Sequence, residues 1–120
     1  MKSILFIISA SASTGSEFAE YAASKGGLLA YMKNTALRCA KNKTLVNSIS
    51  PGGVNTRINK HIIEDKKLYK QVLDETLLNK WIEPEEIADF AYFLTVINKS
   101  MTGEDIFIDN GEKLKSNFIW

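Results

Sequence analysis

The sequence has 120 residues, of which 45% are hydrophobic and 24% charged, and its formal net charge is +1. These values are typical of a single modest globular domain. Because the charged residues form no basic or acidic block, the sequence predicts neither a nucleic-acid partner nor a membrane partner. Cys39 is the only cysteine, which excludes an internal disulfide. We expect its thiol to be a small buried side chain in a protein of the reducing cytoplasm.

An apolar run rich in isoleucine, Ile4-Leu5-Phe6-Ile7-Ile8, lies near the N-terminus. One interpretation is a secretory signal peptide, because Lys2 precedes the run and Ala10-Ser11-Ala12 resembles a cleavage site. The run is shorter, however, than the roughly 7 to 15 apolar residues of a signal peptide. We favour the second interpretation, in which residues 3–8 form a parallel strand buried on both faces. Residues 9–16 then form a small-residue loop at its carboxyl end, where open α/β sheets bind ligands.

The spacing of apolar residues predicts a helix over residues 20–41, with one buried seam formed by Leu28, Met32, Thr35, Ala36 and Cys39. Tyr21 and Lys25 are four residues apart in this helix and therefore share a face. An ammonium close to a phenol favours the phenolate and lowers the tyrosine pKa from its reference value of about 10. A tyrosine of this kind exchanges a proton with a substrate oxygen near neutral pH. The alternative is a surface tyrosine and a solvated lysine that share the face by chance.

A second strand is predicted over residues 44–50, and it ends at Pro51-Gly52-Gly53. Glycine lets a ligand approach the backbone of such a turn closely, and Thr56 follows within a few residues. The alternative is an ordinary strand-to-helix turn in which Thr56 caps the next helix.

Residues 57–81 are amphipathic and predict helix. The sequence Glu83-Pro84-Glu85-Glu86 predicts the start of another helix, because proline and acidic residues favour the first turn. A third strand is predicted over residues 105–108, followed by the turn Asp109-Asn110-Gly111. His61 has no companion ligands nearby in the sequence, so no metal site is predicted.

Several of these segments form a known combination: an apolar strand ending in Ser9-Ala10-Ser11, the Tyr21…Ser24-Lys25 box, Pro51-Gly52…Thr56, and Thr102-Gly103…Asp109-Asn110-Gly111. Over about residues 3–111 they resemble the C-terminal half of a short-chain dehydrogenase/reductase. The resemblance implies an α/β protein with a partial Rossmann-like fold of three parallel strands and flanking helices, the N-terminal dinucleotide-binding half being missing. Residues 1–120 then form a single partial domain, in which residues 57–81 are the substrate lid.

The resemblance also implies catalytic roles. Ser9, at the end of the first strand, holds the substrate oxygen, and Ser11 is the second candidate for this role. Tyr21 donates or accepts the proton at that oxygen. Lys25 favours the Tyr21 phenolate and bonds the nicotinamide ribose, so that Tyr21 and Lys25 both belong to the cofactor site as well.

The remaining cofactor contacts implied by the resemblance come from Pro51, Gly52, Val54 and Thr56. The Val54 backbone and the Thr56 hydroxyl are expected to bind the nicotinamide carboxamide of NAD or NADP. The substrate is a small carbonyl or alcohol compound that the sequence does not identify further.

The 120 residues contain no Gly-x-x-x-Gly-x-Gly turn, which in the family binds the cofactor pyrophosphate at a helix N-terminus. We therefore expect a truncated NAD(P)-dependent oxidoreductase with little turnover on its own. The alternative is a non-catalytic dimerisation or interaction module derived from such an enzyme. An unpaired edge on the first strand further predicts a homo-oligomer, or pairing with the missing N-terminal half.

Overall fold

The computed structural model describes residues 2–16 and 18–115. Three strands, β1 (Ser3–Ile7), β2 (Leu45–Pro51) and β3 (Asp105–Ile108), form one parallel sheet in the order β1-β2-β3. The predicted fold class, α/β with three parallel strands and flanking helices, is confirmed. Met1, Glu17 and residues 116–120 lie outside the described residues.

The helices are α1 (Ser11–Thr14), α2 (Ala19–Cys39), α3 (Lys60–Ile63), α4 (Lys66–Leu73) and α5 (Pro84–Tyr92). Short 3₁₀ turns follow α2 at Ala40–Asn42, precede α3 at Arg57–Asn59 and follow β3 at Glu112–Leu114, and a π turn at Phe93–Ile97 extends α5. Within the described part of the chain, none of the helices has the length and apolar character needed to cross a membrane.

The core lies between α2 and one face of the sheet. Met32 and Ala36 of α2 pack against Ile8 and Val46, and all four are buried. The predicted helical seam is confirmed, since Thr35 is also buried and Leu28 and Cys39 are partly buried against the same cluster. Successive side chains of a strand point to opposite faces of the sheet. Every second residue of β1 and β2 therefore lies on the face that packs against α2.

The other face of the sheet is covered by the segment that contains α5 and the π turn. Ser3 Oγ donates a 3.2 Å hydrogen bond to the Leu94 carbonyl, which joins β1 to that turn. Leu94 is buried, as are Ile49 and Asn47 of the central strand. The Asn47 amide donates to the Met101 carbonyl at 2.8 Å and accepts from the Glu104 N–H at 3.1 Å, so this buried polar group is satisfied.

Two details of the N-terminal prediction are wrong. The first strand is not buried on both faces, because Ile4 and Ile7 are 38% and 47% exposed. It is an edge strand, paired with β2 and with no second strand among the described residues. The predicted loop at 9–16 also contains the single-turn helix α1, which ends at Gly15 with a positive φ of 73°.

The amphipathic segment 57–81 is not one helix. Asp65 interrupts it, because its carboxylate accepts a 3.1 Å hydrogen bond from the Leu68 N–H and thereby caps α4. Beyond α4 the chain turns, with Thr76 buried and Asn79 at a φ of 52°. Short-range hydrogen bonds from polar side chains compete with the hydrogen bonds of a helix. The spacing of apolar residues contains no information about them, so it could not predict this interruption.

Candidate active site

A cleft of about 850 Å³ opens at the carboxyl ends of β1 and β2. Open α/β sheets bind ligands at this end of their strands. Among the residues that line the cleft are most of those that the sequence singled out: Ser9, Ser11, Tyr21, Pro51, Gly52, Val54 and Thr56. Lys25 does not line the cleft itself.

Ser9 and Ser11 form a buried hydroxyl pair at the start of the cleft. Pairing with β2 continues beyond the end of β1, since the Ile8 N–H donates to the Ile49 carbonyl and the Ala10 N–H to the Pro51 carbonyl. This pairing fixes the backbone on both sides of Ser9. The two hydroxyl oxygens are 2.8 Å apart, and the Ser11 N–H donates to Ser9 Oγ at 3.3 Å. The hydroxyl groups of both candidates for the catalytic serine therefore lie next to each other in the cleft.

Tyr21 lies in the first turn of α2 and is 40% exposed at the cleft. The Lys25 Nζ lies 5.8 Å from the centroid of the Tyr21 ring, one helical turn further along. This separation is within the range of a cation–π contact. Lys25 is partly buried, while its neighbour Ser24 turns its hydroxyl back to the Tyr21 carbonyl at 2.8 Å.

Residues 51–56 form another side of the site, and we call this segment the 51–56 turn. A Cβ on Gly52 would come within 3.1 Å of Asp109 backbone and 2.8 Å of the Glu112 carboxylate. A Cβ on Gly53 would collide with the indole of Trp81. Both glycines are therefore required by contacts within the protein, in addition to any approach of a ligand.

Two polar groups of the 51–56 turn remain available. The Val54 N–H donates to no residue that the structure describes, although the Val54 carbonyl accepts from both the Thr56 N–H and the Asn59 side chain. Thr56 occupies the N-cap position of the following 3₁₀ turn, but its side chain makes no capping hydrogen bond. Thr56 is therefore the N-cap residue by position, as the alternative interpretation has it, but its hydroxyl makes no capping bond to the residues that the structure describes. A backbone N–H and a hydroxyl that line the cleft without a partner in the described part of the chain suit an amide ligand.

Sequence reasoning missed the residues that connect this turn to the rest of the cleft. Trp81 lines the cleft and packs edge-on against Tyr69, with ring centroids 5.7 Å apart. The Tyr69 hydroxyl donates to Asn55 Oδ1 at 3.1 Å, and Asn55 Nδ2 donates to Glu83 Oε1 at 2.7 Å. These partners lie 14 and 28 residues apart, so no local pattern could have indicated them.

The described residues contain no cluster of three or more histidine, cysteine, aspartate or glutamate side chains able to hold a metal ion. Charged side chains at the cleft are Glu75, Glu112 and Lys113. The Lys113 Nζ lies 3.6 Å above the Phe107 ring centroid. The hydroxyl and phenol groups that line the cleft are able to form hydrogen bonds and to exchange protons.

Comparison with known proteins extends over nearly the whole chain. The family described as enoyl-(acyl carrier protein) reductase matches residues 2–113. A glucose 1-dehydrogenase of Gluconobacter oxydans is 33% identical over 99 residues, covering 82% of this chain and 37% of the relative. The chain thus spans little more than a third of that curated relative.

Two solved structures are similar in fold. One is 4-hydroxyisoleucine dehydrogenase complexed with NADH, with a TM-score of 0.88 and 29% identity over 95% of this chain and 48% of that one. The other is L-sorbose reductase from Gluconobacter frateurii complexed with NADPH and L-sorbose, with a TM-score of 0.83 and 25% identity over 96% and 48%. Because the matched residues include every signature on which the sequence resemblance depends, the chain belongs to the short-chain dehydrogenase/reductase family.

Proposed function

We propose that this chain is part of an NAD(P)-dependent oxidoreductase that interconverts a carbonyl compound and an alcohol. One observation carries the proposal: Ser9, Tyr21 and the 51–56 turn, which are far apart in the sequence, line a single cleft. When a carbonyl group is reduced, negative charge develops on its oxygen. A serine hydroxyl can stabilise that charge by a hydrogen bond, and a tyrosine can supply the proton.

The proposed roles follow from this placement. Ser9 binds the substrate oxygen, and its pair with Ser11 at 2.8 Å fixes the position of its hydroxyl. Tyr21 donates the proton to that oxygen during reduction and accepts it during oxidation. Lys25 stabilises the Tyr21 phenolate by its positive charge and bonds the nicotinamide ribose.

The residues of the 51–56 turn suit a nicotinamide. The Val54 N–H and the Thr56 hydroxyl have no hydrogen-bond partner among the described residues and can bind the carboxamide, and Pro51 and Gly52 allow the ring to approach the backbone. NAD or NADP supplies or removes the hydride at the substrate carbon when it is bound. Residues 57–81 are proposed as the substrate lid within a single partial domain of residues 1–120.

We also propose a homo-oligomer, or pairing with an N-terminal half, because one edge of β1 pairs with no strand of the described residues and the side chains of Ile4 and Ile7 are exposed. The cytoplasm is the proposed compartment, which fits the single cysteine. Because the 120 residues include no pyrophosphate-binding glycine turn, we expect the chain assayed alone to bind NAD(P)H weakly and turn over slowly.

The catalytic proposal is tested with Tyr21→Phe, which removes only the phenol oxygen. We expect it to slow single-turnover oxidation of NADPH by a ketone about 100-fold or more, measured at high protein concentration by loss of nicotinamide absorbance. Tyr31→Phe is the matched control, since Tyr31 lies in the same helix, is 53% exposed and does not line the cleft. Equal rates for wild type and Tyr21→Phe contradict the proposal.

The cofactor site is tested separately by binding. Thr56→Val removes the hydroxyl at nearly constant volume and is expected to weaken NADPH binding about fivefold, measured by nicotinamide fluorescence. Thr95→Val is the control, because the Thr95 hydroxyl bonds the Ala91 carbonyl and does not line the cleft. A chain that self-associates but neither binds NADPH nor transfers hydride supports the alternative of a non-catalytic interaction module.

A further inference from the structure

Asn55 lies in the 51–56 turn between two residues that line the cleft, but it does not line the cleft itself. The two ends of its amide group are both hydrogen-bonded. The Tyr69 hydroxyl of α4 donates to Asn55 Oδ1 at 3.1 Å, and Asn55 Nδ2 donates to Glu83 Oε1 at 2.7 Å. The second bond is charge-assisted, because its acceptor is a carboxylate. The Asn55 side chain therefore joins the turn to two other segments of the chain.

The backbone around Asn55 is held by a second set of hydrogen bonds. The Asn55 N–H donates to the Ile82 carbonyl at 2.8 Å, and the Ile82 N–H donates to the Gly53 carbonyl at 2.9 Å. Val54 and Ile82 thereby form an isolated parallel bridge. Ile82 is 1% exposed, so this bridge is anchored in the interior of the protein. Both the backbone and the side chain of Asn55 thus fix the position of the 51–56 turn.

The amide group of Asn55 is bonded within the protein, while its two neighbours keep polar groups available. The Val54 N–H and the Thr56 hydroxyl have no hydrogen-bond partner among the described residues, and both residues line the cleft. A ligand binds such groups tightly only when their direction is fixed beforehand, because ordering them during binding costs free energy. Hydrogen bonds from a neighbouring side chain fix that direction. In the 51–56 turn, Asn55 supplies bonds of this kind.

We propose that Asn55 is a positioning residue of the proposed cofactor site. Its two side-chain hydrogen bonds hold the Val54 N–H and the Thr56 hydroxyl where they bind the nicotinamide carboxamide, and Asn55 itself does not touch the ligand. The inference rests on the proposed function, because it adds a residue to the same site. Loss of either bond lets the turn move, so that affinity is lost at the carboxamide rather than over the whole cofactor.

The test compares two ligands, NADPH and its reduced 3-acetylpyridine analogue, in which a methyl group replaces the NH2 of the carboxamide. NMR titration gives both dissociation constants and needs no turnover. We expect the wild type to bind NADPH about fivefold more tightly than the analogue, because the analogue lacks the amide N–H that the Thr56 hydroxyl accepts. A variant that only lowers the folded fraction weakens both ligands by the same factor, which leaves the ratio of the two constants unchanged.

Asn55→Asp keeps the acceptor for the Tyr69 hydroxyl but turns a second carboxylate oxygen towards Glu83 in place of the donor. We expect it to reduce the ratio from about fivefold to less than about twofold. Adding Glu83→Gln restores a hydrogen bond with donor and acceptor exchanged at the same total charge, and is expected to return the ratio to about threefold or more. Tyr69→Phe removes only the other bond, and is a milder variant in which the ratio is also expected to fall.

Asn98→Asp is the matched control. The Asn98 amide also donates to a carbonyl, that of Met101 at 2.9 Å, and accepts from the Met101 N–H at 2.8 Å, but Asn98 does not line the cleft. We expect its ratio to equal that of the wild type within about 1.5-fold. A wild-type ratio in Asn55→Asp or in Tyr69→Phe overturns the positioning role alone, and so does a double variant no better than Asn55→Asp. A wild type that binds both ligands equally, or neither, overturns the proposed carboxamide contacts and this inference with them.

Discussion

The Tyr69 hydroxyl donates a 3.1 Å hydrogen bond to Oδ1 of Asn55, which joins helix α4 to the 51–56 turn. Asn55 lies between Val54 and Thr56, the two residues proposed to bind the nicotinamide carboxamide. Its own amide donates to Glu83 at the start of α5. The proposed lid and the proposed cofactor site therefore share one hydrogen-bonded residue, so that a change in either affects the other.

We predict that Tyr69→Phe lowers the free energy of unfolding by about 1 kcal/mol, because it removes one part-buried hydrogen bond and keeps the ring contact with Trp81. Urea denaturation followed by tryptophan fluorescence measures the change. Tyr92→Phe serves as the control, since the Tyr92 side chain is 59% exposed and is expected to change stability by less than about 0.5 kcal/mol. Equal stability of the wild type and Tyr69→Phe contradicts a structural role for this bond.

The contact between Gly53 and the Trp81 indole gives a second prediction. Gly53→Ala forces the indole out of its position and is expected to cost about 1 to 3 kcal/mol, together with a shift in Trp81 fluorescence. Gly27→Ala is the matched substitution, because no atom of the residues that the structure describes lies within 4 Å of the added carbon and Gly27 is inside α2. It is expected to stabilise by about 0.5 to 1 kcal/mol. If Gly53→Ala and Gly27→Ala have the same free energy of unfolding, the Trp81 indole does not pack against Gly53.

Asp105, the first residue of β3, binds two buried serines. The hydroxyls of Ser48 and Ser50 both donate to Asp105 Oδ1 at 2.7 Å, and both serines are fully buried in β2. Asp105→Asn replaces a charged acceptor by a neutral one, and we expect a loss of about 1 to 2 kcal/mol in thermal or urea unfolding.

The control for this variant is Ser100→Ala, at an exposed site whose hydroxyl has no partner among the described residues, with an expected change within about 0.5 kcal/mol. Ser48→Ala leaves Asp105 with a single serine partner, so its effect is expected to lie between the other two. If Asp105→Asn matches Ser100→Ala, the pair of hydrogen bonds contributes nothing to stability.

Helix α5 begins with a capping box, and this predicts a pH dependence. The Glu83 N–H donates a 2.7 Å hydrogen bond to Glu86 Oε2, which favours the carboxylate and lowers the pKa of Glu86 from its ordinary value of 4.5. Lys80, 3.6 Å from Glu86, acts in the same direction. Because the folded pKa lies below the unfolded one, this contribution to stability is complete above about pH 4.5 and is lost as the pH falls through the folded pKa.

Glu86→Gln is therefore expected to be less stable than the wild type near pH 7, with a difference that shrinks in acid. Urea unfolding at several values between about pH 7 and about pH 3 measures the trend. Glu85→Gln is the control, since Glu85 lies in the same first turn but takes no part in the capping box. A stability difference that is constant across this range rules out the charged cap as its cause.

The sequence by itself determined the order and type of the main elements. The isoleucine-rich run, the seam of α2 and the acidic start of α5 are local patterns, because apolar spacing and capping act over a few residues. The spacing of Tyr21 and Lys25 likewise follows from helical geometry once α2 is known. The strand Asp105–Ile108 agrees with the prediction at both ends.

Only the tertiary structure decided which of these patterns meet. The Ser48, Ser50 and Asp105 cluster, the Gly53 and Trp81 contact, and the Tyr69–Asn55–Glu83 chain all join residues that are distant in sequence. It also showed that the hydroxyls of Ser9 and Ser11 are buried and in contact, whereas the sequence analysis treats the two serines as alternatives for one role. Such contacts depend on how the strands and helices pack against one another. This packing is determined by the whole chain rather than by any short segment of it.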